Sequence, residues 1–276
     1  MSLIKSISGI RGTIGGSAGE NLTPIDVVEC TAAFGCWILE EGLSPKVVIG
    51  RDARISGEIV SNLVVQTLLS LGLNVIDLGL STTPTVEMAV LEEGAGAGII
   101  VTASHNPRNW NALKFLNHRG EFISKAAGEN LLKLIEGGAI HFAEVDQLGQ
   151  YRRREDAIEK HIDRILQLEW VDQMTIQEKQ YTIVVDCINS TGAISVPPLL
   201  EKFNCKIILL NGEVNGQFAH NPEPLPKNLL DLSKAVVAHG ADLGIAVDPD
   251  VDRLALVSED GSMFGEEYTL VAVADY

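Results

Sequence analysis

Short apolar runs alternate with helical patterns along this chain, and that alternation restricts the fold to the α/β class. In the first part of the chain, the runs at 46–50, 74–78 and 98–102 are typical of strands, and the last is apolar on both faces. Helical patterns lie between them, with Ser56 as the predicted N-cap of one helix and Thr83, before a proline, opening another. Strands separated by helices in this way indicate βαβ crossovers and a parallel sheet covered on both faces.

The same order of elements returns after a charged junction. From 151 to about 168 the charge density rises over a helical pattern without a clear strand signal, which predicts a boundary between domains. The arginine run at 152–154 is interpreted as a solvated helix start, with an anion patch as the alternative. Beyond the junction, strands are predicted at 182–186, 206–210, 242–247 and 254–258, with helices at 193–203, interrupted near its two prolines, and 228–239. We therefore expect two consecutive three-layer α/β/α domains, 1–150 and 151–258, with mostly parallel mixed sheets.

The charge balance excludes several classes of function. Lys plus Arg is 21 and Asp plus Glu is 37, which gives a formal net charge of −16. A protein that coats nucleic acid or an anionic membrane needs a basic surface, so neither partner is expected. The sequence has no signal-peptide pattern and no apolar run of the roughly 18 residues that a membrane helix requires. Its four cysteines form no CxxC pair, which indicates reduced thiols and a cytoplasmic protein.

The least ordinary residues follow the third strand of each unit. Ligands gather beyond the carboxyl ends of parallel strands, so the loops at 102–107 and 248–253 are the candidate sites. The second loop carries carboxylates at alternate positions, Asp248, Asp250 and Asp252, which share a face in an extended chain and suit a hard cation such as Mg²⁺. An acidic, solvated turn is the alternative. An EF-hand is excluded, because its loop needs glycine where this chain has arginine and helices on both sides.

The first loop, TASHNP, places Ser104 in a tight turn beside the imidazole of His105. A serine hydroxyl can carry a phosphoryl group covalently when the surrounding groups activate it and neutralise the charge. From these six residues alone, a purely structural turn is the favoured interpretation.

Cations are predicted to cluster around the same sheet edge. They are Arg11 in the SGIRGT loop at 8–13, Arg51 and Arg54 in GRDARISG, and Lys114. Each alone is typical of a surface charge. Four of them at one edge of an acidic chain suggest a local phosphate site.

Taken together, the four motifs SGIRGT, GRDARISG, TASHNP and DPDVDR, in this order, resemble those of the α-D-phosphohexomutases. That family comprises phosphoglucomutase, phosphomannomutase and phosphoglucosamine mutase. The segment HNPEPLP at 220–226 also resembles a family segment of the second domain.

The resemblance implies a phosphohexomutase that interconverts hexose 1-phosphate and hexose 6-phosphate through a phosphoserine and a bisphosphate intermediate. It implies that Ser104 is phosphorylated and that Mg²⁺ is held by Ser104 and the three aspartates of the second loop. The other implied roles are phosphate binding by Arg11, Arg253 and Asn106, proton transfer by Lys114, and catalytic support by His105, which with Asn106 shapes the loop.

Some positions depart from the family pattern. Ala112 follows Asn111 where the family often has glycine, which suggests a different local turn, and Pro249 stands where many members have glycine. The resemblance covers two of the family's four domains, with 259–276 as the start of the third. We therefore expect a chain that folds and binds Mg²⁺ but does not complete efficient turnover alone. A non-catalytic phosphosugar-binding or Mg²⁺-binding module is the alternative.

Overall fold

The computed structural model describes residues 2–6, 9–137 and 140–275. Its contacts divide the chain into two compact units, Met1–Ala103 with Arg108–Ala157, and Ser104–Pro107 with Ile158–Tyr276. None of the described helices is both long and apolar enough to cross a membrane.

The first unit is built on a mixed sheet with the strand order β1-β2-β6-β5-β3-β4-β7. Its strands are β1 (Ile4–Ser6), β2 (Gly9–Thr13), β3 (Lys46–Arg51), β4 (Asn74–Leu80), β5 (Ala97–Val101), β6 (Trp110–Leu116) and β7 (Tyr151–Arg153). Its helices are α1 (Pro24–Glu40), α2 (Gly57–Ser70), α3 (Thr83–Glu92) and α4 (Lys125–Gly137). Strands β5, β3, β4 and β7 run parallel, whereas β1, β2 and β6 pair antiparallel.

Alternation along the central strands produces the layers of the first unit. Val47 and Ile49 of β3 are fully buried in the core that includes residues of α1, α2 and α4. Val48, between them, is buried in a second core with Val86 and Val90 of α3. Because successive side chains of a strand point to opposite faces, an all-apolar strand needs helices on both sides.

Several expectations for the first unit were wrong. The segment at 8–13 was expected to be a loop; within its described part, Gly9–Thr13 forms β2, with Arg11 opposite Ala112 of β6. Asn111 and Ala112 therefore lie in a strand and form no turn. Ser56 is the N-cap residue of α2, as predicted, but its side chain makes no cap hydrogen bond, and its hydroxyl accepts one from the Asn111 amide. The cap of α3 is Thr82, one residue before the expected position.

The predicted junction begins with a strand, because β7 pairs with β4. Each arginine of the 152–154 run meets an acid: Arg152 lies 2.6 Å from Glu93, and Arg153 lies 2.9 Å from Asp77. Arg154 is buried and contacts three carboxylates, those of Glu92, Glu93 and Asp156. The run is therefore neither an anion patch nor a solvated helix start.

The second unit has the strand order β12-β11-β10-β8-β9, parallel over β10, β8 and β9 and antiparallel over β10, β11 and β12. Its strands are β8 (Thr182–Asp186), β9 (Lys206–Leu210), β10 (Leu243–Val247), β11 (Leu254–Ser258) and β12 (Met263–Phe264). Its helices are α5 (Ala157–Leu166), α6 (Gln173–Lys179), α7 (Gly192–Lys202), α8 (Leu230–His239) and α9 (Glu266–Asp275). The α/β/α expectation is confirmed, with a larger antiparallel share than the sequence suggested.

Helix α7 runs without interruption through Pro197 and Pro198, contrary to the expected break. Proline fixes φ near the helical value, so the two residues fit a helix although each removes an N–H donor. On the other side of the sheet, α8 packs Leu232 and Val236 against Val184 of β8. These helices flank β8 and β10, whose carboxyl ends lead into the loops described next.

Candidate functional site

The DPDVDR loop turns tightly around the carboxylate of its first aspartate. Asp248 follows β10 and is fully buried, and its Oδ1 accepts hydrogen bonds from the backbone N–H groups of Asp252 and Arg253, both at 3.1 Å. Val251 has φ of 61°, a left-handed conformation that a β-branched residue rarely adopts. The prediction that the three aspartates converge is confirmed, although a turn rather than an extended chain brings them together.

Two hydroxyl groups that were not predicted from the sequence bind the backbone of this loop. Ser190 and Thr191, in the loop after β8, are fully buried and donate hydrogen bonds to the carbonyl oxygen of Pro249 at 2.7 and 2.8 Å. A Cβ on the next residue, Gly192, would lie only 2.5 Å from Val247. Ser190 and Thr191 lie in the loop after β8, at the sheet edge where the aspartate loop was expected. That position was the sequence signal that could have identified them.

The three aspartates form a dense negative cluster. One carboxylate oxygen from each lies within 4.8 Å of the others, and Asp248 and Asp250 are buried while Asp252 is exposed. Burial, followed by the charges of Asp250 and Asp252, raises the pKa of Asp248 to about 9. Oxygen ligands and excess negative charge are what a hard divalent cation requires, so the residues present fit Mg²⁺.

Ser104 lies directly against this cluster. Its hydroxyl donates a hydrogen bond to Asp248 Oδ2 at 2.6 Å and lies 3.3 Å from Asp252 Oδ1. The residue is 8% exposed and has φ of 47°, again in the left-handed region. The loop therefore places the Ser104 hydroxyl against the carboxylates of the second loop.

His105 and Arg253 lie at the rim of the same cluster. Ser104 Oγ lies 3.5 Å from His105 Nδ1. Burial, and then the positive charge of Arg253, lowers the pKa of His105, so its imidazole is neutral near pH 7. The Arg253 guanidinium is half-exposed and lies 3.7 Å from Glu223. Asn106, which follows His105, is also half-buried.

An ion pair between a half-buried histidine and a buried aspartate anchors the segment that carries Glu223. His220 Nε2 lies 3.0 Å from Asp186 Oδ2, at the end of β8. Burial opposes the charged imidazole, but hydrogen bonds to Asp186 and to the Asn221 carbonyl outweigh it and raise the pKa of His220. The pair fixes the start of the segment whose Glu223 faces Arg253.

The remaining predicted cations belong to the first unit. Arg11 is exposed on β2 and Lys114 is half-buried on β6, where its Nζ lies 5.9 Å from the Phe122 ring. Arg54 was expected to be a phosphate-binding cation, and this was wrong: it is 1% exposed and bonded to the fully buried Asp52. Arg51 is half-buried and donates to the Asp52 carbonyl.

Relatives of this chain carry mutase names. A protein of Thermococcus kodakarensis named phosphoglucomutase/phosphomannomutase is 36% identical over 268 residues, which are 96% of this chain and 58% of that protein. A probable phosphoglucosamine mutase of Methanopyrus kandleri is 35% identical over 267 residues, 96% of this chain and 56% of that protein. The chain thus spans somewhat more than half the length of these curated relatives.

Solved structures share the fold. A phosphoglucomutase/phosphomannomutase family protein from Burkholderia thailandensis has a TM-score of 0.81 at 26% identity, covering 99% of this chain and 59% of that one. A putative phosphomannomutase from Thermus thermophilus has a TM-score of 0.86 at 24% identity, covering 100% of this chain and 61% of that one.

Two family models match most of the chain. The model described as phosphoglucomutase/phosphomannomutase, alpha/beta/alpha domain I, matches residues 3–139, and the model for domain II matches residues 159–261. With the motifs in order and the serine placed against the aspartate cluster, this chain belongs to the phosphoglucomutase/phosphomannomutase family of α-D-phosphohexomutases.

Proposed function

We propose that this chain carries the phosphoryl-transfer and metal-binding part of a phosphohexomutase that interconverts hexose 1-phosphate and hexose 6-phosphate. The observation that carries the proposal is the 2.6 Å hydrogen bond from the Ser104 hydroxyl to Asp248 within the aspartate cluster. Three neighbouring carboxylates repel one another, and this repulsion must be compensated. A serine with a purely structural role does not require such a cluster beside it.

The proposed reaction begins with phosphoserine. Phosphoserine 104 gives its phosphoryl group to the free hydroxyl of a hexose monophosphate, which forms a hexose bisphosphate and regenerates the serine hydroxyl. The bisphosphate then reorients in the site, and Ser104 Oγ attacks the phosphorus of the other phosphoryl group. The P–O bond between that phosphorus and the sugar oxygen breaks, and the second monophosphate leaves. The phosphoryl group returns to Ser104, so the chemistry is balanced without an external donor.

The chain's own residues hold the protons and charges of these steps. Asp248 Oδ2 accepts the hydrogen bond of the Ser104 hydroxyl and is the nearest carboxylate acceptor for its proton in the attacking step. We assign transfer of the sugar hydroxyl's proton to Lys114, from the resemblance. We assign to His105 and Asn106, from the resemblance, the shaping of the loop, and to Arg253 and Arg11 the binding of phosphate oxygens.

Asp248, Asp250 and Asp252, with the Ser104 oxygen, would hold Mg²⁺. When bound, the ion neutralises the carboxylates and the charge on the transferring group. The unpaired state of all four cysteines supports a cytoplasmic setting for the enzyme.

Phosphoryl uptake from a hexose 1,6-bisphosphate tests the proposal without requiring complete turnover. The wild-type chain, first dephosphorylated, should gain the mass of one phosphoryl group when Mg²⁺ is present, and Ser104→Ala should gain none. Ser262→Ala, a matched change at an exposed serine, should behave like wild type. Binding of the bisphosphate without any mass gain would favour the non-catalytic binding module instead.

A further inference from the structure

We propose that Asp52, Arg54 and Thr102 form a positioning clamp, called here the loop clamp, which holds both ends of the loop that carries Ser104. The inference rests on the proposed function of Ser104 and adds residues that act through that serine. It also gives the GRDARISG motif a role other than the phosphate binding first expected of it.

The centre of the clamp is a fully buried ion pair. Arg54 Nε donates to Asp52 Oδ2 at 3.0 Å, and the backbone N–H of Arg54 donates to Asp52 Oδ1 at 2.9 Å. Both side chains have 0% exposure. A buried ion pair contributes little net stability compared with an apolar core, so its presence favours a role in conformational specificity.

Hydrogen bonds from this pair reach the two sides of the loop. Thr102 precedes Ser104 by two residues, and its hydroxyl donates a hydrogen bond to Asp52 Oδ2 at 2.7 Å. On the other side, Arg54 Nη1 donates to the carbonyl oxygen of Trp110 at 3.0 Å, where β6 begins. The same ion pair therefore binds the strand that enters the loop and the strand that leaves it.

The clamp matters because the loop adopts an unfavourable conformation. Ser104 has φ of 47°, and a non-glycine residue stays in that region only when the surroundings determine its conformation. Releasing Thr102 frees the chain two residues from the nucleophile. A nucleophile displaced by about 1 Å loses on the order of 100-fold in rate, because the reacting atoms no longer start close together and aligned.

Thr102→Val removes only the clamping hydroxyl and keeps the shape of the side chain. We expect the maximal rate of phosphoryl uptake at position 104, from a hexose 1,6-bisphosphate with Mg²⁺, to fall by about tenfold or more. The donor concentration at half-maximal rate should stay within about twofold, because Thr102 is not a binding residue. Thr102→Ser restores the hydroxyl and should restore the rate.

Thr67→Val is the matched control. Thr67 is also buried in the first unit, and its hydroxyl donates to the Leu63 carbonyl within α2. The Thr67→Val variant should take up the phosphoryl group at the wild-type rate, although it loses a comparable hydrogen bond. A general loss of stability would slow both valine variants alike.

Four results would count against the loop clamp or against the proposed function. Uptake at the same rate in wild type and Thr102→Val, or no recovery in Thr102→Ser, overturns the clamp alone. Absence of uptake in wild type overturns the proposed function and the catalytic role of the clamp with it. Hydrogen exchange supplies a readout independent of uptake: Thr102→Val should accelerate exchange over 102–110 and leave α1 unchanged, and unaltered exchange over 102–110 overturns the clamp.

Discussion

Replacing Asp250 with asparagine should stabilise the metal-free protein, because it removes a charge from a cluster that repels itself. Carboxylate oxygens within 4.8 Å of one another repel by about 3.5 kcal/mol per ionised pair at an effective dielectric constant of roughly 20. Burial and the charges of Asp250 and Asp252 raise the pKa of Asp248 to about 9 in the metal-free protein, so removing the charge at position 250 relieves its repulsion with both neighbours. Asp252 is exposed, and solvent screening reduces the gain to about 1–2 kcal/mol.

The assay is thermal unfolding of the full chain in EDTA and in millimolar Mg²⁺. The gain corresponds to a rise in Tm of roughly 2–8 °C for Asp250→Asn in EDTA. Mg²⁺ at 100 times its Kd should stabilise wild type by about 2.7 kcal/mol and raise its Tm accordingly, and it should raise the Tm of the variant much less.

Asp231→Asn is the matched control for this measurement. Asp231 belongs to the same unit but is highly exposed and pairs with Lys234 on the surface of α8. Its replacement should change neither Tm nor the response to Mg²⁺, because exposed ion pairs contribute about 0–1 kcal/mol. If Asp250→Asn lowers Tm in EDTA, and if Mg²⁺ raises the Tm of wild type and of Asp250→Asn equally, the electrostatic account of the cluster is refuted.

Three further predictions concern the support of the site. His220→Gln should cost about 1–2 kcal/mol, measured by urea unfolding. The pKa of His220 is raised and that of its partner Asp186 is lowered, so the cost of the substitution should be largest between about pH 4 and 6.5. The cost should fall as the pH rises through the raised pKa of His220, and it should fall again in acid, where Asp186 is protonated. A cost independent of pH would contradict this. Ser190→Ala combined with Thr191→Val should weaken Mg²⁺ binding by about 30-fold in calorimetry, since two hydrogen bonds of about 1 kcal/mol each are lost; unchanged affinity would show that the loop needs no such support. Gly192→Ala should cost about 1–3 kcal/mol of unfolding free energy, because its Cβ would lie 2.5 Å from the side chain that ends β10, and a neutral effect would contradict that close packing.

The parts of the fold that could be predicted from the sequence are those in which one pattern dominates. The strands at 182–186, 206–210 and 254–258 have the predicted bounds, because each is a short apolar run between polar turns. The strands that were missed carry contrary signals. Within β2, Gly9 and Gly12 lower strand propensity, and β7 is rich in arginine that acids of neighbouring elements neutralise.

The candidate site was predictable where a general rule of sheet topology applies. Ligands collect at the carboxyl ends of parallel strands, and that rule selected the loops of Ser104 and the three aspartates. It could not reveal that Asp52 neutralises Arg54 in the interior, because a sequence does not state which charges are buried together. The hydroxyls of Ser190 and Thr191 were missed for the same reason, since their partner is a backbone carbonyl 58 residues or more away.

Mass spectrometry of the dephosphorylated wild-type chain, after incubation with a hexose 1,6-bisphosphate in Mg²⁺ or in EDTA, tests the central claim most directly. The account predicts one added phosphoryl group in Mg²⁺, located by peptide fragmentation at Ser104, and little or none in EDTA. A phosphoryl group at another residue, or no gain in Mg²⁺ by a chain that folds and binds the ion, would contradict it.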